Sequence, residues 1–262
     1  MWATNPLLSL LLVLVVVLPA LRLRWLSLSG AMAACAVGWT TLTAGGWQAA
    51  GVLLAFFITS SALSRWRSER KRQMEFLTAR TAQRDAMQVL ANGGVATMSI
   101  ALYGWTGETL WWLAFAGAYA AANADTWSSE IGVLSPAPPR HPLTGRVLRA
   151  GDSGGVTPLG LLAAGAGSLL IAAVAWAVHP LSPVQALAVA LGGIVGSVVD
   201  SLLGATVQAR YRCAQCGEVV ERREHCEASA RQVAGWRWVD NDVVNLLCTL
   251  AGALTALALA TV

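Results

Sequence analysis

Three aspartates hold most of the chemical promise of this sequence, because each falls in or beside a long apolar run: Asp125, Asp200 and Asp242. Amides and further carboxylates gather around them. Gln88 and Asn92 follow Asp85, Asn123 precedes Asp125 and Glu130 follows it, Gln208 lies beyond Asp200, and Asp240, Asn241 and Asn245 bracket Asp242. An acid or amide at membrane depth is costly, and so marks function before structure. Helix capping accounts for Asp85 and Asp240. It does not account for Asp200, which sits inside an otherwise apolar stretch. Carboxylates with no lysine among them suit a hard divalent cation, and Mg²⁺ is held by one or two carboxylates, waters and substrate phosphate oxygens. Asp242 and Asn245 are close enough in sequence to share a helix face, as are Asp200, Gly204 and Gln208.

Two other clusters have chemical spacing. Gly154 and Gly155 stand just before Thr157-Pro158 and a long apolar run, and glycines ahead of a helix N-terminus can cradle phosphate with backbone N–H groups. An ordinary glycine loop fits the same residues, and the Gly-Lys-Ser/Thr ending of a Walker A loop is absent. Cys213, Cys216, His225 and Cys226 fall within one basic loop, a spacing that can hold a structural Zn²⁺; reduced surface thiols or a redox pair are the alternatives. Cys35 and Cys248 lie in apolar runs and read as packing residues. No Ser-His-Asp or Cys-His catalytic set stands out, and no internal repeat is visible.

The elements that must position these residues are helices in lipid. Hydrophobic residues make up 56% of the chain and charged residues 12%, with a mean hydropathy of +0.57. Soluble domains carry about twice that share of charge, so a large soluble helical core has too little polar surface to coat it. Eight candidate spans cover roughly 6–21, 25–44, 47–64, 86–104, 108–124, 157–178, 183–208 and 241–261. The first has no basic residue ahead of it, while Arg22 and Arg24 follow, the reverse of a cleavable signal, so it reads as a retained helix. All 18 Lys and Arg residues fall in alternate loops: 22–24, 65–84, 140–149 and 210–237. The other loops and both tails carry none. The positive-inside rule then puts the basic loops in the cytoplasm and both termini outside. The net charge of +4 is explained by this orientation and points to no nucleic acid. Tryptophans such as Trp2, Trp47 and Trp105 fall where an interfacial aromatic belt belongs.

These features predict an all-α, multi-pass protein of an inner (plasma) membrane, a single transmembrane domain over 1–262. Two cytoplasmic pieces interrupt it: a basic interfacial segment at 64–86 and the cysteine loop at 209–239. The basic segment reads as a helix lying on anionic headgroups, or alternatively as a source of arginines for a bound phosphate. The carboxylates and amides of four separate spans all fall at the cytoplasmic ends, so the active face is cytoplasmic. Small residues Gly192, Gly193, Gly196 and Gly204 line one side of the seventh span, for tight helix packing or for close approach of a ligand.

Five strings in order resemble an integral-membrane family that includes the plant and cyanobacterial phytyl-phosphate kinase of vitamin E synthesis. They are QVLANGG at 88–94, ADTWSSEIG at 124–132, GGVT at 154–157, GSVVDSLLGATVQ at 196–208 and DNDVVN at 240–245. The likeness covers roughly 85–261; the first three spans match only in character, and the cysteine loop resembles the bacterial branch. Asp152 departs from the small or hydroxyl residue expected there. The seventh span also loosely resembles the Asp-x-x-x-Gly pattern of dolichol kinases and cytidylyltransferases. The resemblance implies transfer of phosphate from a nucleoside triphosphate, CTP first, to a prenyl monophosphate held by the membrane lipid. Asp125, Asp200 and Asp242 would then hold Mg²⁺ as the catalytic set. Asn92, Asn123, Glu130, Gly154, Gly155, Gln208, Asn241, Asn245 and Arg84 would contact substrate. Another lipid-phosphate enzyme, such as a cytidylyltransferase, and an isoprenoid transporter stay open as alternatives; a transporter wants its polar groups at the midplane, with an outer gate.

Overall fold

A computed structural model describes residues 4–66 and 83–260. Most of the basic segment expected at 64–86 therefore lies outside the described residues. The chain is mostly helical. Helix α1 is Pro6–Arg22. The helical stretch Leu28–Arg65 breaks at Gly46, where φ is 63° and ψ is −160°, a backbone conformation open to glycine. The break is a reversal: Arg65 returns to donate to the Arg24 carbonyl at 2.6 Å, and the Trp25 ring packs at a tilt beside Phe57. Two antiparallel segments result, α2 (28–45) and α3 (47–65). Then follow α4 Ala86–Thr106, α5 Thr109–Gly132, α6 Pro158–Val178, α7 Pro183–Thr206 and α8 Asn241–Ala260.

Side-chain caps mark the starts. Asn5, Ser27, Asp85, Thr157 and Ser182 each accept a first-turn N–H, and Pro6, Pro158 and Pro183 occupy the first turns, where a missing N–H costs nothing. Asp240 accepts from the N–H groups of Asp242 and Val243. Leu28–Arg65, α6, α7 and α8 are long and apolar enough to cross a membrane.

Helix α5 is the centre. From Trp112 to Asp125 every residue is buried, because α3, α4, α6, α7 and α8 surround it. Its alanines and Gly117 allow that: the missing Cβ of Gly117 leaves room for Gly252 of α8, and that of Gly252 for Ala121 of α5. Outward faces keep large apolar chains such as Leu11, Leu162 and Leu187 exposed, as lipid-facing surfaces do. The two ends of the bundle differ. One gathers Gln48, Tyr103, Trp112 and His179: His179 Nδ1 lies 3.2 Å from Gln48 Oε1, and its ring stacks on Trp112. The other holds Trp25, Arg65 and Arg84 and the long basic loops.

The all-α expectation needs correction. Residues 210–234 form a small antiparallel sheet of β1 (Arg210–Cys213), β2 (Val219–Val220), β3 (Glu224–His225) and β4 (Ala228–Ala234), in the order β2-β1-β4-β3. Tyr211 and Val220 pair across strands and bury with Ala209, giving the sheet a small core of its own. Helix α5 also runs two turns past its expected end at 124, which puts Asp125 to Glu130 on a helix.

Candidate active site

Four helices bring their polar residues to one level. Gly196 of α7 lies against α5 and α8: a Cβ there would stand 2.4 Å from the Ala121 Cβ and 2.7 Å from the Cys248 carbonyl oxygen. One turn from this layer, toward the basic-loop end, stand Asp125 on α5, Asp200 on α7 and Asn245 on α8. Helix α4 joins them through Thr249, whose hydroxyl donates to the Ala91 carbonyl at 3.2 Å, so that Gln88 and Asn92 arrive at the same level.

These residues line one cavity of about 670 Å³ at that end of the bundle. Its wall also takes in Arg84, Glu130, Gly154, Gly155, Gln208 and Asn241. Asp125 is buried and Asp200 half-buried. Asn92 and Asn245 each donate their amide N–H to the backbone carbonyl one turn back, at 2.9 and 2.8 Å. That fixes both side chains and leaves their oxygens as the acceptors on offer. Gln208 is 4% exposed, and among the described residues its Nε2 has no hydrogen-bond partner. A buried donor with no partner is costly, and in a cavity wall it is a place for an anion's oxygen. The cavity wall offers carboxylate and amide oxygens, serine and threonine hydroxyls, the Arg84 guanidinium and the Gln208 N–H, with no thiol or imidazole among its described residues. That set fits Mg²⁺ and phosphate chemistry, and the cavity lies in the size range of small-molecule sites.

Two predicted residues stand elsewhere. Asn123 is fully buried between helices: its Oδ1 accepts from Thr59 at 3.0 Å and Ser60 at 3.2 Å, and its Nδ2 donates to the Gly167 carbonyl at 2.8 Å. Every polar atom is engaged, so Asn123 ties α5 to α3 and α6 and offers nothing to a ligand. Asp242 is outside the cavity wall, near Asp85 and Asp240. Asn241 and Asn245, four apart, line the cavity; Asp242, turned by about 100° from the first and about 60° from the second, stands to one side of it.

The glycines divide as well. A Cβ on Gly154 would lie 2.1 Å from the Ala205 backbone nitrogen, and its φ is +73°. Gly204 meets Gly154 from the other side. Loop-to-helix packing therefore already requires Gly154, and Gly155 packs on Pro139. Gly192, Gly193 and Gly196 contact α8, Ser168 and α5, which assigns them to helix packing. Asp152 closes its own loop, accepting from the Arg149 N–H at 3.1 Å.

Sequence reasoning missed part of the wall. Pro136 to Pro139 line part of it, and Glu221, just past β2, reaches the wall too, where Ser153 donates to it. The proline-rich run was visible; Glu221 sat in a loop whose strands were not foreseen. Beside Glu221, Arg149 binds Glu218, and Arg210 donates to the last carbonyls of α7, Gly204 at 3.1 Å and Ala205 at 3.2 Å.

The cysteines converge away from this cavity. One ligand atom each from Cys213, Cys216, His225 and Cys226 lies within 4.8 Å of every other. The backbone N–H of Cys216, turned to the Cys213 sulfur, holds that thiol down to about 6, with His225 and the Gln215 N–H adding to the effect while burial opposes it. Burial, with Cys216 beside it, pushes Cys226 up to about 11.

Comparison with known proteins agrees with this architecture. Residues 11–253 match the family described as "Integral membrane protein DUF92". The chain is 34% identical to Protein PGR of Arabidopsis thaliana over 89% of this chain and 88% of that one. It is 30% identical to the uncharacterized membrane protein MJ0933 of Methanocaldococcus jannaschii, over 77% and 83%. With the chloroplastic Protein VTE6 of Arabidopsis thaliana it shares 25% identity over 88% of this chain and 64% of the relative. No solved structure matches.

Proposed function

This chain belongs to the DUF92 family of integral membrane proteins, and on that premise we propose that it is a prenyl-phosphate kinase. It would move the γ-phosphate of a nucleoside triphosphate, CTP first, onto a prenyl monophosphate. The resemblance of its motif strings to the family that includes a phytyl-phosphate kinase supports it. The observation that carries it is the meeting of Asp125 and Asp200 in one cavity, at one level, with the oxygens of Asn92 and Asn245 and the unpartnered Nε2 of Gln208.

Asp125 and Asp200 would hold Mg²⁺, helped by the two asparagine oxygens. When bound, the ion supplies neutralisation of the phosphate charge and a fixed geometry for in-line displacement. Gln208 donates its free N–H to a phosphate oxygen. Arg84, whose guanidinium lies 5.8 Å from the Phe56 ring at the cavity edge, offsets further charge. The acceptor's phosphate oxygen attacks the γ-phosphorus, the bond to the β–γ bridging oxygen breaks, and the nucleoside diphosphate leaves. A phosphate oxygen is already a competent nucleophile, so Glu130 is not required as a strong base. The prenyl tail stays in lipid.

In this reading the eight helical segments cross an inner membrane, with the basic loops in the cytoplasm and both termini outside. Nucleotide is cytosolic, and the cavity opens at the basic-loop end. Collection of the polar groups at one end disfavours transport, which needs a midplane site. The test is purified protein in lipid nanodiscs with Mg²⁺, labelled CTP or ATP, and a panel of prenyl monophosphates of differing length. Label should pass to a prenyl diphosphate. Hydrolysis without transfer, or label carried as a cytidylyl group, would reject the kinase reading.

A further inference from the structure

The cluster of Cys213, Cys216, His225 and Cys226 stands apart from the cavity and plays no part in the chemistry above. Its construction is that of a metal knuckle. Cys213 ends β1, and the turn after it folds back so that the Gln215 N–H points at the Cys213 sulfur, 3.4 Å away, and the Gly217 N–H returns to the Cys213 carbonyl. That turn presents both sulfurs to one side. From the other side come His225 of β3 and Cys226. The Cys216 and Cys226 sulfurs lie 3.4 and 3.3 Å from the same ring nitrogen, Nδ1 of His225. A tetrahedral Zn²⁺ at about 2.3 Å from sulfur and about 2.0–2.1 Å from nitrogen needs edges of roughly 3.6–3.8 Å between ligands. The four side chains already stand close to that spacing, and none is in a disulfide.

The turn between β3 and β4 sets the direction of the other two ligands. Cys226 and Glu227 both have positive φ, 54° and 58°, and neither is glycine. They are the two loop residues between β3 and β4, where His225 pairs with Ala228, and a two-residue hairpin turn takes positive φ at both positions. The turn is what places His225 and Cys226 on the same side of the strand, against the alternation of a regular β-strand.

We propose that Cys213, Cys216, His225 (through Nδ1) and Cys226 bind one structural Zn²⁺, and that the ion clamps the small sheet as a rim on the cavity. Without it the sheet has only the small core of Ala209, Tyr211 and Val220. With it, β1 and β2 are fixed, and so are the contacts they make: Glu221 with Ser153, Glu218 with Arg149, and Arg210 with the end of α7. Metal binding here does not depend on which reaction the cavity performs.

The test uses full-length protein from zinc-supplemented cells, in detergent, with any histidine tag removed. Elemental analysis should find about one zinc per chain, as one closed four-ligand site requires. Cys216→Ser and His225→Ala should bring zinc near zero, while Cys35→Ser keeps it. Stripping zinc from the wild type with a chelator should open the sheet to trypsin at its arginines, with the helices left intact, and added zinc should restore protection. That arm holds even if a variant fails to accumulate. A wild type without zinc after zinc reconstitution, a Cys213–Cys216 disulfide, or zinc retained by both variants would overturn the proposal. So would trypsin cleavage that ignores the chelator.

Discussion

Asn123→Ala separates a helix clamp from a substrate contact. Asn123 makes three interhelical hydrogen bonds, to Thr59 and Ser60 of α3 and to Gly167 of α6. Its loss is uneven. Thr59 keeps a second acceptor, the Ala55 carbonyl at 2.8 Å. Ser60 is fully buried and loses its partner, as does the side-chain bond to Gly167. Interhelical hydrogen bonds in membranes average about 0.6 kcal/mol, so three give nearly 2. Orphaned buried groups add about 1 kcal/mol or more. The total is roughly 2–4 kcal/mol, which at about 2–4 °C per kcal/mol is a fall of about 4–16 °C in Tm for a chain of this size. Thermal unfolding in detergent, followed by tryptophan fluorescence, measures it. Below that transition, the KM for nucleotide should match the wild type. A variant with unchanged Tm but a raised KM would refute the reasoning and return Asn123 to the substrate.

Three further outcomes follow from the packing and the charge pattern. Gly196→Val should lose accumulation and Tm, because its Cβ would enter α5 and the Cys248 carbonyl, whereas Gly165→Val should be close to neutral, with nothing within 4 Å of that position; yield and Tm in detergent check both. Asp242→Asn should keep its turnover within about tenfold of the wild type, since no bond made only in the transition state is removed, and a loss as deep as that of Asp200→Asn would put Asp242 back in the metal site. Single cysteines on a background free of other reactive cysteines should label from outside at Thr106 and Pro180 and only after permeabilisation at Gly145 and Arg222; external labelling at Arg222 would reverse the orientation.

Much of this architecture was legible because membrane helices announce themselves twice, in their apolar length and in the basic residues that separate them. Gly45-Gly46, between two apolar runs and without charge, marked the reversal that the structure places at Gly46. The polar level was legible too, because Asp200 has no capping role to explain it away. What could not be read was rotation. Spacing places Asp242 and Asn245 on one face, but only packing of α8 against α5 and α7 decides that Asn241 and Asn245 face the cavity. The same limit applies to Asn123, next in sequence but one to Asp125 and yet turned into the α3–α6 seam. The sheet was missed because two of its strands have two residues each, too short for a periodic pattern. One signal was present: in Arg210–Cys213, buried Tyr211 and Cys213 alternate with arginines.

The central claim is that Asp125 and Asp200 form one metal–phosphate site, and the most direct measurement is turnover of Asp125→Asn and Asp200→Asn beside the wild type. The assay is transfer of γ-phosphate label to prenyl phosphate in nanodiscs across a Mg²⁺ titration. Loss of a group that stabilises transition-state charge costs about 100-fold or more, so each variant should fall at least that far while its Tm stays near or above that of the wild type. Near-normal turnover of either variant at limiting Mg²⁺ would contradict the account.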